Sequence, residues 1–261
     1  MRQRIPMIVI LIGALAAIVW SQRPDGMLHV ILLPTAGDAI LIQSPAGSFT
    51  LIDGGSDPTN LAVELGTYLP FWQRHLTAIV LTHAGERNLP GQLGVLRRYQ
   101  TALALAPVVP NGEWRDLLRA TATPVRQLQA GQQLDLGGAR LRVLATHDGE
   151  EGGAVLLIEC RARRVLIHTG GSRGDPALAA LAGQQIDLLI YPWQRPITTP
   201  ELGNLHLRAV AFSAGFTAAE PALHSFHDRQ QLAPNLYHPK LDGAIHFISD
   251  GRQTTITTRP P

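Results

Sequence analysis

The chain has 261 residues, 45% of them apolar and 16% charged, a balance that fits a globular core and excludes an extended disordered or low-complexity protein. Arg2, Arg4, Arg23 and Asp25 account for the whole formal charge of +2, so residues 27–261 are near neutral and lack the basic face on which non-specific nucleic-acid binding rests. Cys160 is the single cysteine, which excludes an internal disulfide; lying in an apolar strand, it reads as a buried structural thiol.

Met1-Arg2-Gln3-Arg4 leads into an uninterrupted apolar run of 16 residues, Ile5 to Trp20. As a helix it spans roughly 24 Å, slightly less than a bilayer core of about 30 Å. It reads as a signal peptide or a signal anchor. Ala14 and Ala16 offer a cleavage site, yet Ile18, Val19 and Trp20 carry the run past it, and Trp20 has the position of an interfacial aromatic, which favours the anchor. Residues 1–26 are therefore expected to hold the chain in the cell membrane in a single pass through residues 5–20. The basic N-terminus would lie in the cytoplasm and residues 27–261, one large domain, outside it.

The domain begins with three short apolar runs, Leu28–Leu33, Ala39–Gln43 and Phe49–Ile52, an antiparallel meander ending at Asp53-Gly54-Gly55. Leu61, Leu65 and Leu69 form one stripe of a helix from Asn60 to Leu69, closed by Pro70. Strand Leu76–Leu81 follows, then helix Leu89–Arg98, strand Leu103–Val109 and a helix from Glu113 to Ala120. A second antiparallel set comprises Leu134–Leu136, Arg140–Leu144, Val155–Glu159 and Arg164–His168, with Gly137-Gly138 as a hairpin turn. Helix Pro176–Leu181, strands Ile186–Tyr191 and Ala209–Ser213, a helix near Pro221–Gln231 and two closing strands complete the order. The strands come in two batches, each followed by helices, a pattern satisfied by two sheets packed face to face with helices outside.

Strand Leu76–Leu81 runs into Thr82-His83-Ala84-Gly85-Glu86-Arg87-Asn88. Taken in order with Ala36–Ile42, Leu51–Gly55, Leu65–Phe71, His168-Thr169-Gly170, Tyr191-Pro192-Trp193-Gln194, Phe212-Ser213-Ala214-Gly215 and Asp242–Ile245, this segment resembles the metallo-β-lactamase-like domain of ComEC-type DNA-internalisation competence proteins. The resemblance runs from His29 to the C-terminus. It implies an α/β (α+β) fold, a four-layer αββα sandwich with its site at one edge where strand-end loops meet, here preceded by one N-terminal membrane helix.

The resemblance does not carry the activity across. In register with the family's T-H-x-H-x-D-H ligand motif, His83 is kept while Gly85, Arg87 and Asn88 replace the other three; the Asp expected after Thr169-Gly170 is Gly171, and the His-His pair expected after Pro192 is Trp193-Gln194. A catalytic zinc takes about three protein ligands plus a water whose pKa it lowers. One histidine does not supply them, and Arg87 sets a permanent cation where a dication would sit.

The expectation is thus a cleft lined by Asp53, His83, Arg87, Asn88, His168, Gly170 and Trp193, with no metal, other cofactor or catalytic residue. Arg87 would pair with an anionic ligand or a single-stranded nucleic acid while Trp193 offers a stacking face. The protein would then be a binding or interaction module, linked to DNA uptake through the resemblance. The alternative is a metal-dependent phosphodiesterase or nuclease that rebuilds a zinc or manganese site from His83 and the later histidines His206, His224, His227 and His238. A third reading is a scaffold packing against a membrane-protein partner, which an exposed apolar patch would favour. Asp53 reads equally as a turn residue or an orienting carboxylate, and His168 as a buried, satisfied histidine. No nucleophile elbow, P-loop or dinucleotide fingerprint is present.

Overall fold

The computed structural model describes residues 24–149, 151–214, 226 and 229–260. The apolar run 5–20, His224, His227 and most of the helix expected near Pro221–Gln231 lie outside them. Among the described residues no helix is long and apolar enough to cross a membrane.

The first sheet holds β1 (Leu28–Leu32), β2 (Ala39–Gln43), β3 (Phe49–Asp53), β4 (Ala78–Val80), β5 (Ala104–Ala106) and β6 (Val125–Gln127). The second holds β7 (Gln133–Asp135), β8 (Arg140–His147), β9 (Gly153–Cys160), β10 (Arg163–His168), β11 (Leu188–Pro192), β12 (Ala209–Ser213) and β13 (Asn235–Tyr237). The closing strands β14 (Ala244–Ser249) and β15 (Thr254–Arg259) cross back to the first sheet, whose order is β15-β14-β1-β2-β3-β4-β5-β6. The two-batch reading is corrected there: β14 pairs antiparallel with β1, His29 opposite Ile248 and Leu32 opposite Ile245. The second sheet reads β13-β12-β11-β10-β9-β8-β7, antiparallel from β7 to β10 and parallel from β10 to β13. The expected Gly137-Gly138 turn joins β7 to β8 with both glycines at positive φ, 82° and 90°, as a two-residue hairpin requires.

The period of two in each strand builds the layers. Leu28, Val30 and Leu32 of β1, with Leu156 and Ile158 of β9 and Val165 and Ile167 of β10, fill the core between the sheets. The alternate residues Ile31, Leu41 and Leu51 face helices α1 (Pro58–Tyr68), α2 (Leu89–Leu96) and α3 (Glu113–Ala120). Val155, Leu157, Leu166 and Leu189 face the other way, onto a 3-10 helix, Ser172–Leu181, and the short α4 (Pro200–Gly203). The segment expected as helix Pro176–Leu181 is thus 3-10; Pro176 lies inside it and lacks the N–H an α-turn needs. A further short helix, α5 (Pro239–Asp242), precedes β14.

Strands β3, β4, β5 and β6 are mutually parallel, so their C-terminal loops gather at one end, with those after β10, β11 and β12. The first turn of α2 is drawn tightly onto the loop after β3: Gly91 N–H donates to Gly55 O at 3.1 Å, and a methyl group on Gly91 would lie 1.7 Å from the Gly54 carbonyl oxygen. Gly91→Ala should therefore lower unfolding free energy by about 1–3 kcal/mol, the usual cost of overpacking, read as a shift in the urea midpoint at constant m-value.

Candidate functional site

Asp53 ends β3 at φ 56°, a left-handed conformation that Asp tolerates better than most side chains. Its carboxylate is fully buried and accepts from Thr82 N–H at 2.7 Å and Thr82 Oγ1 at 2.6 Å, and Asn88 donates to it as well. Burial, with the nearby Asp38 carboxylate adding to it, pushes its pKa up to about 7 against the pull of these hydrogen bonds. Thr169, after β10, donates from Oγ1 to Thr82 Oγ1 at 2.9 Å and accepts from Ala154 N–H at 2.9 Å. A buried relay therefore stitches the two sheets together at their loop end. Asp53 is thus an orienting carboxylate rather than a simple turn residue, and Asn88 donates to it.

His83 and Arg87 leave this relay on opposite sides. His83 lines a hollow of about 510 Å³ with Leu81, Pro107, Val108, His147 and Asp148. Its half-buried ring lies between Gly85 and Gly152, where a methyl group on either would come within 2.6 Å of it. Burial lowers its pKa, so the imidazole is neutral at pH 7. Arg87 lines a second hollow of about 630 Å³ with Gly37, Ser56, Glu86, His238 and Lys240. Its Nη1 donates to Ala214 O, just past β12, at 2.8 Å, so the guanidinium spans from a first-sheet loop to the end of a second-sheet strand.

The structure corrects three assignments to the cleft. His168 has the outward parity of Leu166 and faces the 3-10 helix, not the loop end. There its Nε2 meets Asp175 Oδ1 at 3.0 Å, while Arg195 Nη2 donates to Asp175 Oδ2 at 2.6 Å and Arg195 Nη1 lies 3.0 Å from His168 Nε2 and 3.3 Å from Nδ1. Desolvation lowers the His168 pKa, and hydrogen bonds from His168 and Arg195 overcome the desolvation that would raise that of Asp175. His168 is the buried, satisfied histidine its sequence context implied.

Trp193 shares that outward parity. It is buried against Phe212 and Phe226, and the Arg229 guanidinium covers it at 3.9 Å, so it presents no free stacking face. Gly170, at φ 77°, is pressed against the chain before β9, where a methyl group would lie 2.4 Å from Gly152 O; it is a close-approach residue.

Other residues take their places. At the ends of β11 and β12, the Gln194 amide and the Ser213 hydroxyl are buried and make no hydrogen bond among the described residues. Ser213 pairs with Pro192 in register, and Trp193 N–H donates to Ser213 O at 2.8 Å, so the two groups neighbour each other along the backbone. Motif position marked Gln194 as a replaced ligand, but nothing in the sequence marked Asp175 or Arg195 as the partners of His168.

No protein-family model matches the chain, and no curated protein matches it by sequence. Solved structures do match by shape. The metallo-β-lactamase fold protein YhfI from Bacillus subtilis superposes with a TM-score of 0.58 over 81% of this chain and 95% of that one, at 14% identity. This is the metallo-β-lactamase fold. CmlA, a diiron β-hydroxylase from Streptomyces venezuelae, superposes over 80% of this chain and 52% of its own at 15% identity, TM-score 0.54. A diphosphatase of the PhnP family does so over 80% and 94% at 15% identity, TM-score 0.53.

The residues described here do not supply the ligand set of a metal centre. Among them no three His, Cys, Asp or Glu side chains converge on one point. His83 lines its hollow while the Asp53 carboxylate is taken up by Thr82 in the buried relay, and a methyl group on Gly171 would meet the exposed Glu151.

The raised pKa of Asp53 has a definite sign in stability. Between about pH 4 and pH 7 the folded state holds a proton on Asp53 that the unfolded chain has released, so this group makes stability fall as pH rises through that window. Comparing urea midpoints of wild type and Asp53→Asn across pH 4 to 8 isolates it. The difference should move in favour of the variant as pH rises towards about 7 and then level off.

Proposed function

We propose that this metallo-β-lactamase-fold domain is a metal-independent binding module, tethered at the outer side of a membrane by residues 5–20, whose ligand carries a phosphate or carboxylate. The observation that carries this reading is Arg87. Its guanidinium runs from the loop after β4 to Ala214 O after β12, linking the two sheets at their loop end. A fixed cation at that edge repels a dication and favours an anion. Gln194 and Ser213 support the reading, because buried polar groups without partners cost about 1–3 kcal/mol each and such a cost persists where a ligand uses the groups. The finer kinship with competence-protein domains, and a role in DNA uptake, rest on motif order alone. The single-stranded nucleic acid expected there would have to be held by phosphate contacts, since Trp193 is covered.

Elemental analysis of the full chain purified from zinc- and manganese-supplemented medium should show substoichiometric metal. Inorganic phosphate and a short thymidine oligonucleotide serve as probes, and Arg87→Ala should weaken their binding about tenfold or more, as loss of a charge-assisted hydrogen bond would. Stoichiometric metal with chelator-sensitive phosphodiester cleavage would establish the hydrolase reading instead. Gln194→Leu gives an independent check: it should raise stability by about 1 kcal/mol or more while weakening the same probes, whereas a purely structural glutamine would lose stability.

A further inference from the structure

The end of the domain opposite the candidate site carries an aromatic tip. Gln73 N–H donates to Pro70 O at 2.8 Å, closing a turn whose two central residues are Phe71 and Trp72. Gly, Asn, Asp and Ser are the usual occupants of exposed turns. Here the two rings meet edge to face at 4.7 Å and remain 63% and 39% exposed. A hydrogen-bonded turn gives such side chains no local burial in return for holding them in place.

Topology puts this tip beside the point where the chain enters the domain. Strand β1 begins where β3 begins, and Thr77 N–H donates to the first carbonyl of β3, Phe49 O, at 2.7 Å, so the loop from 69 to 77 closes at that end. α1 runs down to it, ending at Tyr68, whose ring contacts His246; His246 in turn contacts His29, and His29 bonds Asp25 at 3.0 Å. Pro24 lies against Gly47 in the turn between β2 and β3. Pro24 is four residues beyond Trp20, a reach of about 14 Å when extended. A chain anchored through residues 5–20 therefore holds this end of the domain close to the lipid.

We infer that the Phe71-Trp72 turn is a membrane-docking tip that inserts its two rings into the bilayer interface. The inference rests on the tether proposed above. Aromatic side chains concentrate at the lipid–water boundary, and the exposed Arg74, with Arg98 at the end of α2 nearby, supplies cations for anionic headgroups. Together the tether and the tip give the domain two contacts with the membrane and so an orientation. The candidate site then points away from the bilayer, at least one strand length, roughly 17 Å, above the tip.

Spin labelling tests this in the full chain, because the single cysteine, Cys160, is buried and the wild-type chain serves as the label-free background. Phe71→Cys, and Val108→Cys in the wall of the His83 hollow as a control, are labelled and reconstituted in vesicles of phosphatidylcholine and phosphatidylglycerol. The label at position 71 should be relaxed by oxygen and protected from an aqueous nickel chelate, and the label at 108 should show the reverse. Equal exposure of both labels to the chelate, in a chain that floats with the vesicles, overturns the docking tip and leaves the tether standing. Shielding of position 71 from both relaxants overturns it in favour of a protein partner, or residues 5–20, covering the turn. A chain that does not float with the vesicles overturns tether and tip together.

Discussion

Two sheets can slide or splay at an open edge unless something specific ties them there, and in this protein the tie is a buried hydrogen-bond relay. It runs from Ala154 N–H and Thr169 in the second sheet, through Thr82, to the Asp53 carboxylate at the end of β3. No cation faces Asp53 in this relay. Desolvation of a carboxylate costs several kcal/mol, and each hydrogen bond to a charged acceptor returns about 1.5–3 kcal/mol. Three donors against burial and the repulsion of the nearby Asp38 carboxylate leave the ionised and protonated forms near balance at neutral pH. A pKa of about 7 is the expression of that balance.

This relay also determines what the loop after β4 can do. Asn88 donates its side chain to Asp53, and the backbone of Arg87 is held by Asp38 N–H at 3.2 Å, with Gly37 so close that a methyl group there would lie 2.0 Å from Arg87 O. From that fixed backbone the Arg87 side chain crosses the edge to Ala214 O. His83 leaves the strand before this anchoring and lies between two glycines as a neutral ring. The loop thus divides the edge into a cationic hollow and a largely apolar one holding an imidazole.

Much of this architecture was legible in the sequence because alternation and loop punctuation are local signals. Strands β1, β2 and β12 and helix α3 fall on the expected residues to within one position. What was not legible is long-range or short. β6 and β13 have three residues each, too few to show a period. The return of β14 and β15 to the first sheet depends on the partner across the gap, β1, not on their own residues. The side of the sheet that His168 and Trp193 serve follows from parity: Leu166 and Leu189 face the outer layer, and His168, Tyr191 and Trp193 face it with them. Motif order located these residues at strand ends, and strand parity decides which side of the sheet they serve. Asp175 and Arg195 carried no signal, since a buried ion pair looks in sequence like any surface pair.

The two outer layers are held by different physics, which accounts for the fate of the loop after β11. On the first sheet, α1, α2 and α3 bury a leucine-rich face, and dispersion and apolar burial suffice. On the second, the described covering includes a proline-containing 3-10 helix and the four-residue α4, which bury Leu178, Leu181 and Leu202 on shorter and less regular elements. The His168–Asp175–Arg195 network compensates by pinning the 3-10 helix to β10 and to the turn after β11, and its charges sum to zero when His168 is neutral. Breaking such a network costs about 3–5 kcal/mol, because one charge is left buried alone. Arg229 completes the arrangement, donating to Trp193 O at 2.7 Å and Arg195 O at 3.3 Å while its guanidinium stacks on the Trp193 ring. A backbone gripped from both sides cannot swing its side chains into the edge, so this loop supports the outer layer. Of its side chains, Gln194 and Thr199 retain unspent hydrogen-bonding capacity among the described residues.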